Sequence, residues 1–125
     1  MGVELLFALV MSLALTLALE SAFFFLTGKR NRKDLLLLQM VNVLTNPLVV
    51  FSYWLLARYT VVDLILATII LELLAVLAEG YYYRKYGQDF KRPWVFSACA
   101  NLFSYSCGAL LQFAIPIVLR AALGL

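Results

Sequence analysis

The fold class of this chain is decided by residues 62–83, which read VDLILATIILELLAVLAEGYYY. A soluble helix carries one apolar stripe, whereas this segment is apolar on nearly every face. It is long enough to cross about 30 Å of hydrocarbon as a helix, which takes roughly 20 residues. Two acids, Glu72 and Glu79, interrupt it. The segment is therefore predicted to be a transmembrane helix with carboxyl groups in its interior.

Three further segments have the same character, and the four predicted spans are Val3–Thr27, Leu35–Ala57, Val62–Tyr83 and Pro93–Leu119. The chain is 65% hydrophobic with a mean hydropathy of +0.95, against about 45–50% apolar residues in an ordinary soluble domain. The predicted fold class is an all-α membrane protein, in which residues 1–125 form a single transmembrane domain. The first span has no basic leader and is interpreted as a helix of this domain, not as a cleaved signal peptide.

The sequence also repeats itself with a shift of 59 residues, and the repeat includes polar groups. The matched pairs are Glu20/Glu79, Asn42/Asn101, Thr45/Ser104, Gly28/Gly87 and Glu4/Asp63. Each repeat, 1–59 and 60–118, holds two spans. They are expected to form two parallel hairpins related by a pseudo-twofold axis along the membrane normal. The matched glycines are expected to end helices at the two hairpin turns.

Orientation follows from the basic residues, because eight of the ten flank the two hairpin turns. The positive-inside rule therefore places loops 28–34 and 84–92 in the cytoplasm and both termini outside. A bacterial plasma membrane is the default assignment. Aromatic residues are expected at the two membrane interfaces, with Tyr53, Trp54 and Tyr59 at the outer one and Tyr81, Tyr82, Tyr83, Tyr86 and Trp94 at the inner one.

The repeated polar residues are predicted to share one layer of the bundle. Glu20, Asn42, Glu79 and Asn101 each lie 11 positions from the centre of their hairpin turn. At about 1.5 Å per residue, this places them at a common depth. Thr45 and Ser104 follow the two amides by three positions and share their helix faces. The candidate site thus holds two carboxyls, two amides and two hydroxyls.

A second candidate layer lies deeper and is not repeated. Glu72 falls near the middle of the third span and Asn46 at a similar level of the second. Because an ionised side chain at mid-bilayer costs about 2.5–3.5 kcal/mol, Glu72 is expected to face the bundle interior and to be protonated or paired. We assign Glu72 and Asn46 as a candidate proton carrier or gate. Pro47 leaves the Val43 carbonyl without its helical donor.

Two functional interpretations remain open. Carboxyl, amide and hydroxyl oxygens suit hard cations or protons, which favours a small transporter or channel for a cation or a proton-coupled solute. The alternative is a non-transporting accessory or assembly subunit, in which the polar layer only fixes helix packing through interhelical hydrogen bonds. Four helices leave little room for a wide path, so a homo-oligomer in the lipid bilayer is expected.

The sequence contains no motif that indicates catalysis, cofactor binding or nucleic-acid binding. The chain has no histidine, the commonest general base, and no nucleophile–base pair can be named, so an enzyme is not favoured. There is no nucleotide-binding glycine loop, and no cofactor is predicted. Cys99 and Cys107 have no metal or redox spacing. The basic loops are short and explained by topology, so nucleic acid is not an expected partner.

The polar skeleton has the pattern Glu…Asn-x-x-Thr-x-Pro…Glu-x6-Glu…Asn-x-x-Ser, running from Glu20 to Ser104. In this it resembles a group of small, functionally uncharacterised prokaryotic four-span integral membrane proteins. The resemblance covers nearly the whole chain. It implies the same four-span fold and supports treating these polar positions as a set, but it brings no activity, substrate or partner with it.

Overall fold

The computed structural model describes residues 2–124, so Met1 and Leu125, the two ends of the predicted domain, lie outside the described residues. Four α-helices make up the chain: α1 Gly2–Leu26, α2 Arg32–Tyr59, α3 Leu64–Tyr86 and α4 Pro93–Leu123. Each is long and apolar enough to cross a membrane. The prediction of an all-α fold with four such helices is confirmed.

Helix boundaries differ from the predicted spans where polar side chains cap the backbone. The second helix begins at Arg32, three residues before Leu35, because Asn31 accepts the backbone N–H groups of Lys33 at 2.9 Å and Asp34 at 3.3 Å. The third begins at Leu64 because Asp63 accepts the N–H of Ile65 at 2.9 Å. Such caps satisfy N–H groups that have no partner within the helix. Residues 32–34 of the predicted loop 28–34 are therefore helical, and α3 continues to Tyr86, into the predicted loop 84–92.

The four helices form a closed ring in chain order. Each helix packs against its neighbours in sequence, and α4 also packs against α1, less extensively than the other pairs pack. Within residues 2–124, no Cα atom of α1 lies within 8 Å of a Cα atom of α3, and the same holds for α2 and α4. The ring therefore encloses an interior toward which all four helices contribute side chains.

The hydrophobic core lies toward the end of the bundle that carries the two hairpin turns. Its centre is the ring of Phe96, whose centroid is 4.9 Å from that of Phe90, 5.6 Å from Tyr83 and 6.4 Å from Phe24. At the other end the packing is sparse, and every described residue of α4 from Leu110 onward is exposed. The exposed surface is largely apolar.

The two hairpin turns contact each other at the same end of the bundle. Both oxygens of the buried Asp34 carboxylate accept backbone N–H groups of the second turn, from Gln88 and Asp89, each at 2.8 Å. The Asn31 amide donates to the side chains of Gln88 at 3.2 Å and Asp89 at 3.0 Å. Lys29 donates to the Asp89 carbonyl at 2.7 Å. The basic loops thus form one connected surface.

Both repeated glycines follow helix ends, but for different reasons. Gly28 has a φ of 87°, in the left-handed region that side chains with a Cβ avoid. Gly87 has an ordinary φ of −71°. A Cβ on Gly87 would overlap the Phe90 ring and the Tyr83 carbonyl. The first glycine is therefore required by backbone conformation and the second by close packing.

Candidate functional site

Five of the six residues predicted for the symmetric site come together in the bundle interior. Each helix contributes at least one: Glu20 from α1, Asn42 and Thr45 from α2, Glu79 from α3 and Asn101 from α4. Four of them, Glu20, Asn42, Thr45 and Glu79, are buried, and the two carboxyls are 0% and 1% exposed. We call these five residues the acid layer. It lies directly beside the hydrophobic core, one helical turn before Phe24 in α1 and before Tyr83 in α3.

The Glu79 carboxyl is held from both sides. The Thr45 hydroxyl donates to its Oε1 at 2.8 Å, and the Asn101 amide donates to its Oε2. The same Asn101 amide also donates to the Ser97 carbonyl at 2.9 Å, which fixes its position on α4. Glu79 is therefore a fixed acceptor that joins α2, α3 and α4.

The Glu20 carboxyl is in the opposite situation. By hydrogen-bond geometry neither of its oxygens has a partner within residues 2–124, although the Asn42 side chain lies close enough to interact with the carboxyl. The neighbouring Asn42 amide donates to the Leu38 carbonyl at 2.9 Å, four residues back in its own helix. Glu20 also lies within electrostatic range of Glu79. Because a buried polar group without a partner costs about 1–3 kcal/mol, and more when charged, this carboxyl is the unsatisfied member of the layer.

Ser104, the sixth residue predicted for the site, is not part of the acid layer. It is half-buried, and no hydrogen bond links its hydroxyl to either carboxyl in the part of the chain that the structure describes. Its repeat counterpart Thr45 does bond to Glu79. The two acids thus have different surroundings even though their positions match in the sequence.

Tyr83 belongs to the site, and the prediction that it marks a membrane interface is wrong. It is 1% exposed, its ring stacks on Phe90 with centroids 4.7 Å apart, and its hydroxyl has no partner among the described residues. It lies within electrostatic range of both Glu20 and Glu79. The signal was present in the sequence, because Tyr83 follows Glu79 by four positions and therefore shares its helix face.

The deeper candidate residues fall at two separate places. The Asn46 amide donates to the Thr16 hydroxyl at 3.1 Å and ties α2 to α1, while its carbonyl oxygen has no partner in residues 2–124. Glu72 lies half-buried on the wall of a groove between α3 and α4, not in the enclosed interior. Seven residues fall only about 20° short of two helical turns, so the two acids lie on nearly the same side of α3. Glu79 is enclosed with Thr45 and Asn101, whereas Glu72 borders the groove.

The chemistry available in the acid layer is that of oxygen donors. Among residues 2–124, no three His, Cys, Asp or Glu side chains come together as a metal site. The layer offers two carboxyls with amide and hydroxyl groups around them. Such a set can take up a proton or surround a hard cation.

The fold defines an all-α protein of four long, apolar helices with acids enclosed among them. No family model, curated protein or solved structure matches this chain.

Proposed function

We propose that this protein is an integral membrane transporter or channel for a cation or a proton-coupled small solute, and that the acid layer is its binding site. The observation that carries the proposal is the Glu20 carboxyl. It is completely buried, both of its oxygens lack partners among residues 2–124, and a second buried carboxyl lies within electrostatic range. A carboxyl group in this state is stabilised by binding a proton or a cation.

Membrane insertion is supported by the surface of the bundle. All four helices expose large apolar side chains over most of their length. Water would disfavour such a surface, whereas lipid tails would accept it. In that setting two ionised carboxylates close together repel strongly, because little solvent screens them. Binding a cation or a proton relieves the repulsion, which gives the layer a thermodynamic reason to take one up.

The two acids have distinct parts in this proposal. Glu79 is fixed by Thr45 and Asn101, so it provides a positioned negative charge. Glu20 has free acceptor capacity and binds the incoming proton or cation. The unpartnered hydroxyl of Tyr83 supplies a further oxygen beside both carboxyls.

The proposed topology places both basic loops in the cytoplasm and both termini outside. It is supported by the direct contact between the turns, which puts eight basic residues at one end of the bundle. The duplicated hairpins would be related by a twofold axis through the ring. We further propose that the protein functions as a homo-oligomer, since a ring of four helices leaves no room for a wide path.

An accessory or assembly subunit without transport activity is the second candidate. It is favoured by the hydrogen bonds of Glu79 to α2 and α4 and of Asn46 to α1, since both join helices. Interhelical hydrogen bonds of this kind contribute about 0.6 kcal/mol each in membranes. This candidate leaves the unpartnered Glu20 carboxyl without a role.

Ligand-dependent stability separates the two candidates. Thermal unfolding of the purified protein in detergent would be measured across a panel of inorganic cations and pH values. The proposal expects one cation, or a change of pH, to raise stability, by about 2.7 kcal/mol at a hundred times its Kd. The rise should be lost in Glu20→Gln/Glu79→Gln. It should persist in the control Glu4→Gln/Asp63→Asn. These two acids are also matched by the 59-residue repeat, and replacing them removes the same charge, but both are exposed.

Flux is then measured in proteoliposomes with the cation or proton gradient under test, for the wild type and for the same two double variants. Flux lost in the acid-layer double variant and kept in the exposed double variant supports transport. A flat stability response together with absent flux would establish the accessory subunit as the better description.

A further inference from the structure

A groove lies between α3 and α4 on the outside of the bundle. It has a volume of about 580 Å³, within the range of about 300–1,000 Å³ typical of small-molecule sites. Its α3 wall runs from Leu64 to Val76, and its α4 wall from Ala98 to Tyr105. Twelve residues of helix span about 18 Å. Because the groove opens at the outer surface of the ring, an occupant would enter sideways, from the bilayer.

The lining of the groove combines three kinds of chemistry. Most of the walls are apolar, Glu72 supplies one carboxyl, and the phenol rings of Tyr53 and Tyr105 lie along it. None of the described residues that line it is basic. An apolar groove with one acid and aromatic rings complements a cation that is itself apolar, because the acid attracts its charge and the rings attract it through their negative faces.

The groove is also connected to the acid layer. Asn101 lines the groove and at the same time donates to Glu79, so one side chain separates the two spaces. Glu72 lies within electrostatic range of both Glu20 and Glu79. A charge bound in the groove would therefore act on the two enclosed carboxyls.

We propose that the groove between α3 and α4 binds a lipophilic organic cation, such as an amine or quaternary centre with apolar arms, and that Glu72 is its counter-charge. This inference rests on the proposed transport function and names the substrate class. The cation enters from the bilayer, and its charge is exchanged against protons held in the acid layer.

Direct binding of radiolabelled tetraphenylphosphonium to the detergent-purified full chain tests the proposal. We expect saturable binding in the wild type. Removing the counter-charge in Glu72→Gln, or filling the groove in Ala98→Phe, should weaken the affinity at least about tenfold. Two matched controls should bind as the wild type does: Glu4→Gln removes an exposed acid, and Ala22→Phe enlarges an exposed alanine of α1 outside the groove.

Competition with triphenylphosphine oxide, which is similar in shape but uncharged, distinguishes a cation site from a lipid groove. Weak competition supports the proposal, and displacement as strong as that by unlabelled tetraphenylphosphonium overturns it. Binding that survives both Glu72→Gln and Ala98→Phe also overturns it. So does a change from dimer to monomer in Ala98→Phe, because the groove would then be an interface between copies of this chain.

The same preparations separate failure of this inference from failure of the proposed function. If an inorganic cation or pH stabilises the wild type through the acid layer while tetraphenylphosphonium does not bind, the groove assignment is wrong and the transport proposal stands. If neither response is seen and flux is also absent, both proposals fail.

Discussion

The Asp34 carboxylate, near the start of α2, accepts the backbone N–H of Asp89 at 2.8 Å, so an acid of the first hairpin fixes the turn of the second. Its other oxygen accepts the N–H of Gln88 at the same distance. Hydrogen bonds to a charged acceptor are roughly twice as strong as those between neutral groups. Asp34 therefore contributes to stability by fixing the turn of the second hairpin.

Replacing Asp34 by Asn should destabilise the protein by about 1–3 kcal/mol, because the amide offers one acceptor oxygen and turns an N–H₂ group toward a backbone N–H that has lost its acceptor. Thermal unfolding in detergent provides the measurement. The matched control is Asp63→Asn, since Asn caps a helix as well as Asp does. Equal unfolding temperatures for the two variants would contradict the importance of the Asp34 contacts.

The hydroxyls of Thr45 and Ser104 provide a second prediction, because the sequence repeat pairs them and the structure separates them. Thr45→Val removes a donor to Glu79 with little change in shape and should lower stability by about 1 kcal/mol. Ser104→Ala should change the unfolding temperature little. A symmetric response to the two substitutions would show that Ser104 also bonds to a carboxyl in the membrane-embedded protein.

Substituting the two acids of the layer by Gln should affect stability differently and transport alike. Both carboxyl oxygens of Glu79 accept hydrogen bonds. Glu79→Gln replaces one of them by an N–H₂ group and should destabilise the protein. Glu20→Gln removes no hydrogen bond that the described residues form, and it reduces charge repulsion, so stability should be kept or increased. Both variants should lose flux in proteoliposomes. Widely different residual flux would contradict a site shared by the two carboxyls.

Gly28 offers a test of backbone strain. Its φ of 87° suits Gly and is tolerated by Asn, so Gly28→Asn should cost little. Gly28→Val should lower stability by about 1–2 kcal/mol. Unfolding temperatures of the two variants against wild type give the comparison. If Val were tolerated as well as Asn, the first turn would have to adopt another conformation.

Much of the fold could be predicted from the sequence because the helices are long and apolar on every side. The equal distances along the sequence from the turn centres also predicted a common depth for Glu20, Asn42, Glu79 and Asn101. Depth depends only on the regular rise of a helix. The existence of the acid layer therefore follows from elementary geometry, while the pseudo-twofold axis, the bilayer and the function of the layer remain predictions.

The contacts of individual side chains depend on the neighbouring helices and turns, which the spacing of residues along one helix does not reveal. Glu72 and Glu79 lie on nearly the same side of α3, yet Glu79 is enclosed by Thr45 and Asn101 while Glu72 borders the groove between α3 and α4. The burial of Tyr83 depends on Phe90, which the second turn folds back onto it. Asp34 follows Arg32 and Lys33 in a charged stretch of the sequence, yet its carboxylate is buried and the opposite turn supplies two N–H groups to it. Each of these outcomes requires knowledge of the neighbouring helix.

The contact between the turns also sets an order of assembly during synthesis. Lys29, Asn31 and Asp34 emerge from the ribosome well before the Gln88–Asp89 segment that they hold. The second turn can take its final shape only when the first hairpin is already in place, whereas the first needs nothing made later to cap α2. The earlier half of this chain thus supplies the surface on which the later half completes its fold.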